Sequence, residues 1–196
     1  MDKCTKCRKF GVKLFLKGDR CNSPKCAITR RNYRPGAHGP KQGNLRKSEY
    51  GLQLLEKQKM KAEYGLRERQ FVNIFHKAAK SRTNTAHELF KILEMRLDNI
   101  VYRLGWAASR AQARQFVNHR KFKLNEKIVN IPSTVLKPKD IITPVNKDFI
   151  KPVKVNIPQW IKVDAKDLKA EILDYPKLEE IETDIDSQLI IEFYSR

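Results

Sequence analysis

Arg96 to Asn125 reads RLDNIVYRLGWAASRAQARQFVNHRKFKLN, and its hydrophobic spacing changes once along its length. Leu97, Ile100, Val101 and Leu104 recur at the spacing of one helix face and continue the pattern of Leu89, Ile92 and Leu93. One long amphipathic helix is therefore predicted from a capping box, Thr85-x-x-Glu88, to Gly105. Ser109 opens a further helix to about His119, with Ala113, Phe116 and Val117 turned inward. Beyond His119 the period becomes two, in Phe122-Lys-Leu124, in Lys127 to Ile131 and in Ile141 to Val145. Helices that hand over to short strands predict an α+β chain.

The same reading extends in both directions. Downstream, Trp160 to Val163, Ala170 to Leu173 and Leu189 to Phe193 are predicted strands, with the acidic stretch Glu179 to Asp186 before the last. Upstream, Ser48 caps a helix that runs to about Tyr64, carries Leu52, Leu55 and Met60 on its apolar side and stops at Gly65. A second helix starts at Leu66 and buries Phe71, Ile74, Phe75 and Ala78.

Charge is distributed unevenly. Met1 to Asn125 holds 30 Lys or Arg against 9 Asp or Glu, whereas the remainder holds 11 against 13. A field so one-sided calls for a polyanion, and nucleic acid is the expected one, because each phosphate neutralised releases counterions. No apolar run approaches the ~20 residues that span a bilayer, so the chain reads as soluble and cytosolic, with neither a membrane partner nor a small-molecule substrate.

All four cysteines fall in one short segment, as Cys4-x2-Cys7 and Cys21-x4-Cys26. Two close pairs joined by a loop can surround one tetrahedral ion, and structural Zn2+ is the expected cofactor; an iron–sulfur cluster and disulfide pairing are the alternatives. Four protein ligands leave no open position, so the metal would hold a fold together rather than catalyse. Next comes TRRNYRPGAHGPKQGNLRK, Thr29 to Lys47, too rich in Gly, Pro and positive charge to pack as helix or strand. Such a segment suits RNA, with Arg30, Arg31, Arg34, Lys41, Arg46 and Lys47 directed at phosphates and Tyr33 or His38 stacking on a base. A plain linker has the same composition.

Arg96 to Asn125 closely resembles the RNA-binding domain named after ribosomal small-subunit protein four. The resemblance extends to the opening CxxC with FGVKLFLKGDRCNSPKCAITRRNYRPGAHG, to SEYGLQLLEKQKMKAEYGLRERQF and to the terminal QLIIEFYSR, which together are similar to the bacterial form of that family. It covers essentially the full chain and is least distinctive between about Phe149 and Asp186. It implies a zinc knob and basic segment over 1–47, a helical domain over 48–94 completed by 149–196, and a small α/β RNA-binding domain inserted at 95–148. It further implies a ribosome-bound protein that grips a multi-helix junction of small-subunit ribosomal RNA early in assembly. Such a protein would touch neighbouring small-subunit ribosomal proteins, lie where messenger RNA enters, and influence decoding accuracy.

On the inserted domain, Ser109, Arg110, Gln112, Arg114, His119, Arg120, Lys121 and Lys123 are the candidates for the RNA face, since Arg forks fit phosphate oxygens. The family often has Gly where this chain has Arg120, and Asn-Gly where it has Asn125-Glu126. Glu at a turn position of positive φ costs on the order of 1 kcal/mol or forces another loop.

Two other function classes compete. The same module is appended to pseudouridine synthases and tyrosyl-tRNA synthetases, but this sequence shows no phosphate-binding glycine motif and no second cluster of convergent acids and bases. Carboxylates such as Asp98, beside Arg96 and Arg103, read as ion-pair partners. A zinc-containing DNA-binding regulator would fit the cysteines and the charge, yet no recognition-helix array or dimerising heptad follows them.

Overall fold

The computed structural model describes residues 2–41, 48–81, 83–150, 153, 155–164, 167–181 and 183–195. Its helices are α1 (Lys3–Phe10), α2 (Asp19–Asn22), α3 (Ala27–Arg30), α4 (Glu49–Glu63), α5 (Glu68–Ala79), α6 (Thr85–Glu94), α7 (Leu97–Arg103), α8 (Arg110–Asn118) and α9 (Ser187–Tyr194). Its strands are β1 (Phe122–Leu124), β2 (Lys127–Val129), β3 (Ile141–Pro144), β4 (Ile161–Asp164) and β5 (Lys169–Ile172), all antiparallel in the order β2-β1-β3-β5-β4. Helices and a small antiparallel sheet make the chain α+β.

The chain forms two compact units, Met1–Val72 with Asp184–Arg196, and Asn73–Thr183. The sequence reading divides it instead after 47, 94 and 148. For the C-terminal part the physical difference lies in β4 and β5, which pair onto β3 and so join residues 161–172 to the sheet that β1 begins.

In the first unit Ser48 caps α4 as predicted, its Oγ accepting from the Gly51 N–H at 3.2 Å. α4 packs on α9, with Met60 and Phe71 fully buried. Lys57 and Lys61 donate to the two oxygens of Glu68 at 2.6 and 2.7 Å, and Lys59 donates to the Asp184 carbonyl. The predicted strand over Leu189 to Phe193 is instead helix α9. Asp186 decides this: its Oδ1 accepts from the N–H groups of Gln188 and Leu189, which starts a helix at Ser187. The apolar residues then recur at helical rather than alternate spacing, with Ile190 buried and Phe193 against Tyr50, ring centroids 5.6 Å apart.

In the second unit the single long helix predicted up to Gly105 is two, α6 and α7, broken at Met95 and Arg96. A distant segment breaks it. Leu97 and Asp98 donate to the carbonyls of Thr134 and Pro132, Leu136 donates to that of Met95, and Arg96 bridges Val135 with extended backbone. The N-cap of α6 is Asn84, whose Oδ1 accepts from Ala86 at 2.9 Å, so Thr85 lies inside the helix rather than capping it. Leu97, Ile100, Val101, Ala113, Val117, Phe122, Leu136, Ile142, Ala170 and Ile172 are fully buried and weld α7 and α8 to the sheet.

The β1–β2 connection is a two-residue turn, since Leu124 pairs with Lys127, and Asn125 and Glu126 take φ of 47° and 68°. The geometry that Asn-Gly would give is thus kept with Glu in the glycine position. Asn125 secures it: its Nδ2 donates to Asp140 at 2.8 Å, its Oδ1 accepts from Ile141 at 2.9 Å, and its backbone N–H donates to the Ile141 carbonyl.

Candidate nucleic-acid interface

The first unit offers a cysteine knob and a basic segment fastened to it. α1 places Cys4 and Cys7 one turn apart, Cys21 lies in α2, and Cys26 precedes α3 as its N-cap. None of the four is in a disulfide; Cys7, Cys21 and Cys26 are buried and Cys4 half-buried. All four line one cavity of about 10 Å³, the room of a single water-sized sphere. Backbone N–H groups point at the sulfurs: Lys17 at Cys21 (3.4 Å), Leu14 at Cys7, and Ile28 and Thr29 at Cys26.

Burial pushes the Cys7 thiol up against the pull of Leu14, and the neighbouring Cys21, Cys4 and Cys26 push it further. At Cys26 burial also acts upward, but the Ile28 and Thr29 hydrogen bonds and the charge of Lys13 prevail and lower it. Mutual repulsion of clustered sulfurs is what a divalent cation would reverse, and four cysteines are the donor types of a tetrahedral site, but their present placement does not form one. Among the described residues no group of three or more His, Cys, Asp or Glu stands in ligating geometry.

Arg8 on α1 fastens the segment after α3. Its Nε and a terminal nitrogen donate to the carbonyls of Tyr33 (3.0 Å) and Arg34 (3.2 Å), and its guanidinium lies 4.6 Å from the centre of the Tyr33 ring. Gly39 is needed there, because a Cβ would collide with the Arg34 carbonyl. The segment is thereby held to the knob with Arg30, Arg31, Tyr33 and His38 exposed and Arg34 half-buried. Lys41 ends a short 3-10 turn, Gly39–Lys41. Arg46 and Lys47 lie outside the described residues. Composition marks Arg8 only as one of several cations beside the cysteines, and Gly39 only as one glycine of a Gly-rich segment.

In the second unit α8 and β1 carry the other candidates, and the structure sorts them into two kinds. Ser109 is buried as the N-cap, its Oγ accepting from Gln112, while Gln112 Oε1 accepts from Ala108 at 2.8 Å. Arg110 donates to Asn99 Oδ1 at 2.8 Å and lies 4.7 Å from the centre of the Tyr102 ring. Arg114 closes on Asp98, which also takes two bonds from Arg96, while Arg103 pairs with Glu94 rather than with Asp98. These four side chains have protein partners.

His119, Arg120, Lys121 and Lys123 form the other kind, gathered where α8 runs into β1. His119 and Arg120 are exposed, Lys121 and Lys123 half-buried. Arg120 adopts φ 57° and donates its N–H to Val117, and Lys121 donates to Phe116, a Schellman motif with Arg where Gly is usual. Lys121 Nζ lies 4.5 Å from the centre of the Phe149 ring and 5.2 Å from that of Phe116. The result is a group of three cations beside an imidazole at the end of a helix, with no carboxylate bonded to it among the described residues, a surface suited to phosphates. No helix among the described residues is long and apolar enough to cross a membrane.

Comparison with known proteins bears on both units. The family model described as ribosomal protein S4/S9 N-terminal domain matches residues 1–94, and the S4 domain model matches residues 95–142. Small ribosomal subunit protein uS4 of Dictyoglomus turgidum is 50% identical, with 98% of this chain and 96% of that protein covered. The proteins of the same name from Syntrophomonas wolfei and Clostridioides difficile are 47% and 45% identical over the same shares.

Proposed function

The chain belongs to the family of small ribosomal subunit protein uS4, and from that membership we propose that it fastens a multi-helix junction of the small-subunit ribosomal RNA early in assembly. It is a ribosome-bound structural component that binds ribosomal RNA and meets other ribosomal proteins, not an enzyme. The observation that carries this is identity of about half of all residues sustained from one end of the chain to the other. A position where messenger RNA enters, and an influence on decoding accuracy, are the finer parts of the proposal and rest on the family resemblance.

Each unit supplies its own grip. In the first, Arg30, Arg31 and Arg34 offer forks to phosphate oxygens, and Tyr33 and His38 offer rings to unstacked bases. In the second, Arg120, Lys121 and Lys123 neutralise phosphates and His119 adds a donor, while Ser109, Arg110, Gln112 and Arg114 hold α7 and α8 in place beneath them. The acidic stretch before α9 is repelled by phosphate and suits solvent or a basic neighbouring protein.

Cys4, Cys7, Cys21 and Cys26 would hold one structural Zn2+, which supplies folding energy to a segment with few large apolar side chains. Metal analysis of purified protein is expected to find one zinc per chain; iron, or no metal, would sink the assignment. The RNA reading is tested by titrating the protein against the 5′ domain of small-subunit ribosomal RNA with excess nonspecific RNA and duplex DNA as competitors. Binding that survives both supports it; binding swept away equally by either reduces the protein to a generic polyanion binder.

A further inference from the structure

A cavity of about 400 Å³ opens in the first unit between α1 and the α4–α5 turn, distinct from the small cavity that the four cysteines line. Lys6, Lys9, Lys61 and Arg67 line it, and no carboxylate does. Phe10 and Leu66 give it an apolar side, and Gln58 contributes an amide with both a donor and an acceptor. Its cations are unevenly engaged. Lys61 holds Glu68, whereas Lys6, Lys9 and Arg67 have no ion-pair partner among the described residues. Lys9 and Arg67 are exposed, and the Lys9 ammonium lies 6.0 Å from the Phe10 ring centre.

We infer that this cavity takes a single unstacked nucleotide of the bound RNA, with its base against Phe10 and its phosphate on Lys9 and Arg67. The inference rests on the RNA-binding reading and adds a contact that neither the basic segment nor α8 provides. Size agrees, since sites for small organic groups start near ~300 Å³. Chemistry agrees too: a nucleotide pairs a flat apolar face with an anion, and RNA is read chiefly where bases splay out to stack on aromatic rings. A free mononucleotide has the same chemistry and is the other source of such a ligand.

The full-length protein, Lys9→Ala/Arg67→Ala and Phe10→Leu are each titrated against the 5′ domain of small-subunit ribosomal RNA over a range of salt, with hydroxyl-radical footprints of each complex. Adenosine monophosphate binding is measured by equilibrium dialysis. The double variant is expected to bind about tenfold weaker with a salt slope shallower by about 2, and to expose one protected nucleotide. Phe10→Leu is expected to lose about fivefold in affinity with no change of slope, because stacking releases no counterion. Should Phe10→Leu prove misfolded by circular dichroism, the two surface substitutions carry the test. RNA affinity and footprint unchanged in the double variant would overturn the pocket and leave the family reading intact. An unsubstituted protein with no preference for this RNA over duplex DNA would overturn both. Adenosine monophosphate binding that the double variant loses, with the RNA footprint unchanged, would assign the cavity to a free nucleotide and overturn the inference.

Discussion

The Arg114 guanidinium on α8 closes on Asp98 of α7, with Nε and a terminal nitrogen 2.9 and 2.7 Å from the same carboxylate oxygen. Arg96 binds both oxygens of Asp98, at 3.0 and 2.9 Å, and both Arg96 and Asp98 are buried. Asp98→Asn is therefore expected to destabilise the second unit by about 3 kcal/mol, because a buried guanidinium loses its counter-charge. Arg114→Ala leaves Asp98 with Arg96, and since the Arg114 side chain is 31% exposed its loss is expected to cost only about 1 kcal/mol. Urea unfolding followed by tryptophan fluorescence measures both, and equal costs would contradict this ordering.

Arg120 carries a backbone cost in exchange for its side chain. At φ 57° it occupies a conformation that glycine adopts freely. Arg120→Gly is expected to raise stability by about 1 kcal/mol while weakening RNA binding and flattening its salt slope by about 1. Opposite signs in melting temperature and affinity are the signature; a fall in both would mean that the guanidinium braces the fold.

Glu126 carries the same backbone cost as Arg120. Its φ of 68° sits in a turn already secured by Asn125, so Glu126→Gly is expected to add about 1 kcal/mol with the hairpin unchanged. A gain in stability without change in RNA affinity, read by thermal unfolding and filter binding, is the expected result.

Glu68 makes the first unit sensitive to acid. Burial raises its carboxyl, but hydrogen bonds from Lys57 and Lys61 outweigh that and hold it below the usual glutamate value. A depressed pKa contributes stability that is full above the unfolded value and is lost as pH falls through the folded one. The α4–α5 junction is therefore expected to loosen below about pH 4.5, where an unfolded glutamate takes its proton. In Glu68→Gln that part of the acid sensitivity should vanish, as measured by unfolding at pH 7 and at pH 4.

Local signals were legible in the sequence and long-range ones were not. Ser48 and Ser109 cap α4 and α8 through neighbours three residues away, so spacing revealed them. The break between α6 and α7 depends on Thr134 and Pro132, far along the chain, and nothing in Glu94 to Asp98 announces it. Ile190 and Ile191 suggested a strand, but the cap at Asp186 and the packing on α4 prevailed over their β propensity. Among the site residues, composition marked the cations but could not say which were engaged within the protein: Arg114 and Arg120 look alike in sequence, yet Arg114 lies within α8 and meets Asp98 while Arg120 stands exposed beyond its end. The four cysteines were the reverse case: spacing alone marked them as a group, and they line one cavity, although no ligating cluster stands among the described residues.

The pairing of α4 with α9 has a consequence for the order in which the chain folds. All of residues 73–183 precede α9 in the chain, so the second unit can close without α9, whereas the first is incomplete until α9 packs on α4 and Tyr194 reaches Phe71. Both tryptophans, Trp106 and Trp160, lie in the second unit, so their fluorescence reports on that unit alone. A chain stopped after Thr183 is expected to show native tryptophan emission while its α4 amides exchange freely with solvent. Protected α4 amides in that shortened chain would show that the first unit does not wait for α9.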